Sequence, residues 1–267
     1  MTKRVLFLTA MHGLPEWLQD QSDWEVVAVR SPDPAQLLNI VDHFDAVDGV
    51  VATSRLAHRW LVEKLPDEAE RIHYVRPGVR PPSMPRVESE TLRVGYLGRL
   101  DLDLPSISWT RLHGDYPQLD VLLLFSEAPD ILLKAMHHGV VPVVARYRGV
   151  AAEGLVIDGE TGLIFGDREE AARLIARLGE DRELLARLSA NAKSAAAEDT
   201  DVRMHRDWLA VLERMRSMEP KGREPVVSSN LAKAFRALFR QPQQPVEALS
   251  ANRVHEVLMD LERLDRA

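Results

Sequence analysis

The chain has 267 residues, enough for one large domain or two small ones, and its 45% hydrophobic and 28% charged content is that of a soluble globular protein. It contains no cysteine, which excludes disulfide bonds and thiolate metal sites. The formal net charge of -7, from 34 basic and 41 acidic side chains, argues against general nucleic-acid binding but permits a local basic patch.

The first part of the chain alternates short apolar runs with stretches of helical spacing. This alternation is typical of a parallel sheet with crossover helices. The N-terminal run is too short to span a membrane and predicts a buried first strand. Ser54 precedes the stretch RLAHRWLVEKL and suits a helix N-cap. The four predicted strands lie at Val5–Leu8, Val26–Val29, Val50–Ala52 and Ile72–Val75.

A proline-dense segment, VRPGVRPPSMPR, follows the fourth predicted strand. Proline continues neither a strand ladder nor a helix, so we place the linker between two lobes here. We expect a short N-terminal Rossmann-like lobe at residues 1–80, a linker at 81–90 and a C-terminal Rossmann-like lobe at 91–218. A second linker and a helical extension then occupy residues 219–267.

The second lobe begins with the strand LRVGYL, and its most informative part runs from Leu119 to Phe165. There an apolar strand, a helix starting near Pro129, a second strand and a glycine-punctuated turn follow one another. This order places a loop and a helix N-terminus at the carboxyl edge of a parallel sheet, where anionic ligands are held.

Three charged amphipathic helices complete the second lobe. Trp208 and Met215 fall on the apolar side of the last one, which predicts that they are core residues. The three helices are predicted at Arg168–Leu178, Arg182–Ala197 and Val202–Met218.

Taken in order, the motifs between Val5 and Met218 resemble those of family 4 glycosyltransferases with the GT-B fold. VGYLGRL is similar to the start of the family's donor lobe, and SEAPDILLKAMHHGVVPVVA to the helix that carries its paired glutamates. DGETGLIF is similar to the turn that follows. The resemblance implies an α/β fold of two Rossmann-like lobes and a retaining transfer of a sugar from a nucleotide diphosphate sugar bound between them.

The resemblance also implies site residues. Arg99 matches the family's phosphate-binding arginine, whose fixed charge holds two phosphate oxygens, and Gly98 precedes it. Gly13 is similar to the glycine turn that lets backbone approach the donor phosphate. Glu127 matches the first family glutamate, the catalytic candidate beside the donor sugar, if one residue is deleted from the usual spacing. An exposed arginine, a plain turn and an acid that favours a helix start are the structural alternatives.

Two departures from the family pattern concern donor binding. Lys134 occupies the place of the second glutamate, and an ammonium cannot accept from two ribose hydroxyls, a loss of about 1–3 kcal/mol. The family lysine expected after Arg99 is missing, and Asp101 and Asp103 stand there instead. These acids form either a solvated turn or a cation site, and Lys134 either weakens donor binding or supplies phosphate charge.

The lobes are also shorter than is usual in the family, with room for about one helix between Leu100 and Leu119. The first prediction is a compact transferase that needs neither metal nor cofactor and acts on a glycan, lipid-linked or small-molecule acceptor. The alternatives are a catalytically inactive GT-B-like binding or partner subunit, and an unrelated two-lobed protein that binds another anionic ligand.

The resemblance leaves the C-terminal tail unexplained. The amphipathic stretch Leu231–Arg240 suits either an anionic membrane surface or packing on its own domain. The predicted helix Val254–Leu264 either pairs with a second copy of the chain or closes back on the lobe. We expect a cytoplasmic protein, free or peripheral at the membrane.

Overall fold

Contacts within the chain group it into two compact units. The first unit comprises Met1–Arg76 and Arg206–Ala267, and the second unit comprises Pro77–His205. The structure, a computed structural model, describes residues 4–10, 24–30, 34–42, 44–83, 87, 89–97, 107–112, 116–125, 128–146, 154–219, 221 and 251–266.

The first unit is built on a parallel sheet of four strands in the order β2-β1-β3-β4. All three pairings are parallel, and every residue of β3 is buried, which explains the uninterrupted apolar run GVVA. All four predicted strands are confirmed. They are β1 (Arg4–Ala10), β2 (Trp24–Arg30), β3 (Gly49–Ala52) and β4 (Ile72–Tyr74).

Two helices, α1 (Pro34–Asp42) and α2 (Arg55–Lys64), belong to this sheet's unit. The predicted cap of α2 is confirmed, because the Ser54 hydroxyl accepts a hydrogen bond from the Ala57 amide at 3.3 Å. Trp60 anchors the packed face of α2 with 1% of its surface exposed.

The second unit contains a parallel sheet of five strands in the order β6-β5-β7-β8-β9. Three of these strands, β5, β7 and β8, were predicted. β9 lies within the segment that the sequence predicted as a glycine-punctuated turn. β6 is an edge strand whose residues are mostly exposed, in a region where the sequence predicted room for a helix. The strands are β5 (Arg93–Tyr96), β6 (Ser108–Arg111), β7 (Val121–Leu124), β8 (Val141–Ala145) and β9 (Leu163–Phe165).

The helices of the second unit cover both faces of its sheet. Alternate residues of β7 and β8 face opposite sides: Leu124 and Val144 pack with α3, whereas Leu123 and Val143 pack with α4. Helix α5 contributes side chains to both clusters. These helices are α3 (Pro129–His137), α4 (Arg168–Glu180) and α5 (Arg182–Ala196).

Helix α6 (Asp201–Ser217) begins in the second unit and ends in the first. Trp208 and Met215 are 1% and 2% exposed, which confirms that they are core residues. Gly49 at the start of β3 leaves room for the Met215 side chain, because an added Cβ there would overlap it. The second half of α6 therefore groups with the first unit, whereas the predicted domains assigned it to the second lobe.

Helix α7 (Ala251–Arg266) packs back on the first unit, as one of the two predictions for it stated. Its buried residues Val257, Leu261 and Leu264 form the contact face. Arg253 pairs with Asp42 of α1 at 2.7 Å. No helix among the described residues is long and apolar enough to cross a membrane, and Leu231–Arg240 lies outside them.

Candidate functional site

All five parallel strands of the second unit's sheet end at one carboxyl edge, the kind of place where the sequence predicted an anionic ligand. From β5 the chain passes to β6 on one side, and β7 lies on the other side of β5. Ligands of open parallel sheets bind at such a change of direction, in the crevice between the loops that leave the two strands. The loops after β5 and β7 are therefore the first place to expect a ligand.

Four of the five predicted site residues lie outside the described residues. In the sequence, Gly98 and Arg99 follow the last residue of β5, Glu127 follows β7 and Gly13 follows β1, each within three residues. In the sequence, three of them thus follow the two strands that flank the switch point. Their roles stay predictions.

The fifth predicted residue, Lys134, lies on the exposed side of α3. Leu133 and Ala135 beside it are fully buried, so Lys134 points away from the packed face of the helix. Among the described residues it forms no ion pair. Its ammonium can donate hydrogen bonds and cannot accept them.

The start of α3 is at the carboxyl edge beside β7. Ala128 is the N-cap and has no side-chain acceptor, and Pro129 occupies the first helical position. The first helical hydrogen bond runs from the Leu132 amide to the Ala128 carbonyl at 2.9 Å. A helix start capped in this way carries partial positive charge, partly offset by the acidic Asp130 in its first turn.

Sequence analysis missed an arginine at the same edge. Arg146 follows the last residue of β8, and its amide donates to the Phe165 carbonyl at 2.8 Å, which continues the β8-β9 ladder by one residue. Its side chain is exposed and forms no ion pair with the described residues. The sequence shows that a basic residue directly follows the apolar run VVPVVA. It does not show on which face of the sheet that residue lies, because this depends on how the helices pack.

Tyr116 supports the α3 side of the sheet. Its ring stacks on that of His138, the C-cap of α3, with centroids 5.9 Å apart and planes 7° from parallel. Burial, and then the negative charge of Asp130, raise the pKa of Tyr116 to about 12. The hydroxyl therefore stays protonated at neutral pH, and Tyr116 serves the packing of the helix rather than proton transfer.

The predicted glycine-punctuated turn is confirmed between Leu155 and Ile164. The Thr161 hydroxyl accepts from the Ile157 amide at 2.8 Å and donates to the Leu155 carbonyl at 3.2 Å. Gly159 adopts a φ of 72°, a conformation that favours glycine. The turn is thus held by its own hydrogen bonds and needs no ligand to explain it.

At the carboxyl edge of the first unit's sheet, the Tyr74 ring contacts two side chains of α2. The guanidinium carbon of Arg55 lies 5.8 Å from the Tyr74 ring centroid, and the His58 ring centroid lies 6.0 Å from it. Burial lowers the pKa of His58, opposed by a hydrogen bond to the Ile72 backbone. The histidine is therefore neutral near pH 7 and packs α2 against β4.

No group of three or more acidic or histidine side chains that could hold a metal ion occurs among the residues the structure describes. Asp101 and Asp103 lie outside those residues, so both interpretations of the Asp-Leu-Asp tripeptide stand. The expectation that no metal or cofactor is needed stays a prediction.

Comparison with solved structures identifies the architecture. The chain is similar to a glycosyltransferase from Rickettsia africae ESF-5, with a TM-score of 0.57 and 11% identity over 81% of this chain and 78% of that one. The chain has the GT-B fold. The α/β class and the two lobes with parallel sheets are thereby confirmed.

Two other GT-B enzymes match in the same way. For the pneumococcal O-GlcNAc transferase GtfA the TM-score is 0.55 at 12% identity, over 75% of this chain and 54% of GtfA. For the sucrose-phosphate synthase of Thermosynechococcus elongatus it is 0.51 at 14% identity, over 82% of this chain and 70% of that one. No protein-family model and no curated protein matches the sequence. The likeness shows the GT-B fold, and membership of family 4 stays a prediction.

Proposed function

We propose that this chain is a glycosyltransferase that binds a nucleoside diphosphate sugar at the carboxyl edge of the second unit's sheet. The observation that carries the proposal is the strand order, since the switch point falls between β5 and β7. In the sequence, Gly98 and Arg99 follow β5 and Glu127 follows β7, each within three residues. Fixed positive charge and a carboxylate thus follow the two strands that define the crevice.

The proposed chemistry needs positive charge at the diphosphate. When the sugar is transferred, the bond between its anomeric carbon and a phosphate oxygen breaks, and the bonding electron pair leaves with the diphosphate. The acceptor hydroxyl oxygen bonds to the anomeric carbon and gives its proton to an oxygen of the leaving diphosphate. Arg99 and the start of α3 would stabilise the charge that grows on the leaving group, and arginine keeps its charge at every physiological pH.

Glu127 would act on the sugar side of the same site. A carboxylate accepts hydrogen bonds from sugar hydroxyls and can hold a sugar while positive character develops at the anomeric carbon. Gly13, after β1, is proposed to let backbone approach the donor phosphate. Retention of the anomeric configuration is also proposed, and proton NMR of the product's anomeric signal tests it.

Lys134 is proposed to lie at the nucleotide side and to supply phosphate charge rather than to accept from the ribose hydroxyls. Its exposed ammonium on α3 forms no ion pair with the described residues and is available to a ligand. A Lys134→Glu variant would restore an acceptor, so it separates the two roles. Tighter nucleotide binding by Lys134→Glu than by the wild type would contradict the phosphate role.

UDP and UDP-sugars are the first ligands to test. The structure of GtfA is a complex with UDP and GlcNAc, and GtfA is an O-GlcNAc transferase. We propose a donor of the same class, a nucleoside diphosphate sugar, with a glycan, lipid-linked or small-molecule acceptor. The transferase is proposed to need no metal, which EDTA in the assay checks directly. Its location is proposed to be cytoplasmic, free or peripheral at a membrane.

The decisive assay is a screen for hydrolysis of UDP-, GDP- and ADP-sugars, repeated on Arg99→Ala and Glu127→Ala. Exposed Arg173→Ala on α4 is a matched control for loss of an arginine. Activity that falls in the first two variants and persists in the control supports the proposal. Activity insensitive to both changes would contradict the site assignment. Nucleotide binding without turnover of any donor would favour the inactive binding subunit.

A further inference from the structure

The proposed donor site already has two candidate cations, Arg99 and Lys134. A nucleoside diphosphate carries more than one negative charge, and each phosphate group offers several acceptor oxygens. Asp130 in the first turn of α3 adds a further negative charge at the same edge. An additional cation at this edge would therefore help to hold a diphosphate in water.

Arg146 occupies the right edge of the sheet for this role. Its amide hydrogen bond to the Phe165 carbonyl keeps it in register with β9, so its backbone position is fixed. β8 lies directly beside β7, about 5 Å away, and β7 is one of the two strands at the switch point. In the sequence, Glu127 lies between the last residue of β7 and the first residue of α3.

Side-chain alternation puts Arg146 on the same face of the sheet as α3. In a strand, every second residue faces the same side, so Arg146 shares the face of Val144. Val144 is fully buried in the cluster that contains Leu132 and Met136 of α3. The chain enters α3 from the carboxyl end of β7 and leaves it for the start of β8, so α3 also begins at this edge. Arg146 and the start of α3 are thus on one edge and one face.

The guanidinium of Arg146 is available for a ligand. Two other arginines of the second unit serve the fold: Arg93 pairs with Asp120 at 3.0 Å, and Arg203 donates to the Pro77 carbonyl at 2.7 Å. Arg146 is exposed and forms no ion pair with the described residues. An arginine in this position can hold two phosphate oxygens at once.

We propose that Arg146 is a further phosphate-binding residue of the donor site and holds the phosphate group next to the sugar. This assignment rests on the proposed function. It follows from the position of Arg146 beside the end of β7, the strand that precedes Glu127, which is proposed to hold the sugar.

Arg111 offers a matched control. It is an exposed arginine at the carboxyl end of β6 and also forms no ion pair with the described residues. By the same alternation it shares the face of Trp109, which packs against the cluster on the α4 side. Arg111 and Arg146 therefore carry the same charge at the same edge on opposite faces.

The test begins with calorimetric titration of the wild-type chain with UDP, GDP and ADP. The diphosphate that binds, written as UDP below, and its monophosphate, written as UMP, are then titrated into the variants. Arg146→Ala is expected to weaken UDP binding about tenfold or more and to leave UMP binding within about twofold of the wild type. Arg146→Lys keeps the positive charge and is expected to weaken UDP binding less than Arg146→Ala does. Arg111→Ala is expected to bind UDP as the wild type does.

The outcomes separate the inference from the proposed function. If the wild type binds none of the three nucleoside diphosphates, the proposed function fails. If it binds one and Arg146→Ala binds it equally well, the proposed function stands and the role of Arg146 is wrong. An equal loss of UDP and UMP binding, or an equal loss in Arg111→Ala, would also overturn the assignment. Because Arg146 is exposed, we expect Arg146→Ala to fold as the wild type does. An unchanged thermal unfolding transition confirms this.

Discussion

The guanidinium of Arg93 holds the carboxylate of Asp120 in a two-pronged ion pair at the amino ends of β5 and β7. Nε donates to Oδ2 at 3.1 Å, Nη2 donates to Oδ1 at 3.0 Å, and the Arg93 amide also donates to Oδ2 at 2.9 Å. The Asp120 side chain is only 3% exposed. The pair ties together the two strands at the switch point, at the edge opposite the candidate site.

Asp120→Ala is expected to lower the free energy of unfolding by about 3 kcal/mol, because it leaves Arg93 without its partner in a mostly buried position. Urea titration measures this change. Asp42→Ala is the control, since its pair with Arg253 is 32% and 45% exposed and is worth about 1 kcal/mol or less. Equal losses in the two variants would contradict a structural role for the Arg93–Asp120 pair.

Stability is expected to fall in mild acid because of His73. Burial, then the positive charge of Arg214 and, once His58 is itself protonated in acid, the charge of His58 lower the pKa of His73 to about 4. The unfolded chain takes up a proton near pH 6.5 whereas the folded chain does not, so the contribution is complete above about pH 6.5 and is lost as the pH falls towards 4. The loss is on the order of 2–3 kcal/mol.

Urea titrations at about pH 7.5 and about pH 5 test this expectation. His73→Gln should show a smaller difference between the two pH values than the wild type. The exposed His255 on α7 supplies the control, and His255→Gln should retain the wild-type difference. A difference that survives in His73→Gln would show that other groups cause the acid sensitivity.

Gly139→Ala is expected to destabilise the chain by about 1 kcal/mol or more. Gly139 follows the C-cap of α3 and has a φ of 74°. A Cβ there would lie 3.0 Å from the Ser189 hydroxyl. Gly179→Ala is the matched control, because Gly179 lies within α4 and has ordinary space for a methyl group. That change should stabilise by up to about 1 kcal/mol. Thermal unfolding measures both, and a stabilising Gly139→Ala would be the contrary result.

Leu261→Ala is expected to lower the free energy of unfolding by about 2–4 kcal/mol, because Leu261 lies on the packed face of α7 and is only 1% exposed. Met259, on the same helix, is 52% exposed, and Met259→Ala should change the free energy of unfolding by about 0.5 kcal/mol or less. Urea titration of both variants checks whether α7 is part of the first unit's core. Similar small effects in both would indicate that α7 does not pack on this unit in solution.

Most of the fold could be predicted because its strands and helices have strong local patterns. The buried strands β3, β7 and β8 are uninterrupted apolar runs, and Ser54 marks the start of α2. The edge strand β6 was missed because its sequence, SWTR, has neither an apolar run nor a turn signal, and its strand state depends on pairing with β5.

The candidate site was less accessible to sequence reasoning. Arg146 is one arginine among many until the sheet order and the packing of Val144 against α3 assign it an edge and a face. The destination of α7 is likewise a tertiary property, since its apolar stripe fits a partner copy or its own unit equally well. Residue patterns gave the elements, and long-range packing decided what each element covers.

Calorimetric titration of the wild type and of Arg99→Ala with UDP, GDP and ADP shows whether a nucleoside diphosphate binds through Arg99. We expect that at least one of these nucleotides binds and that Arg99→Ala weakens its binding about tenfold or more, because a charged phosphate contact is lost. Binding of none of the three, or equal binding by the wild type and Arg99→Ala, would contradict this expectation.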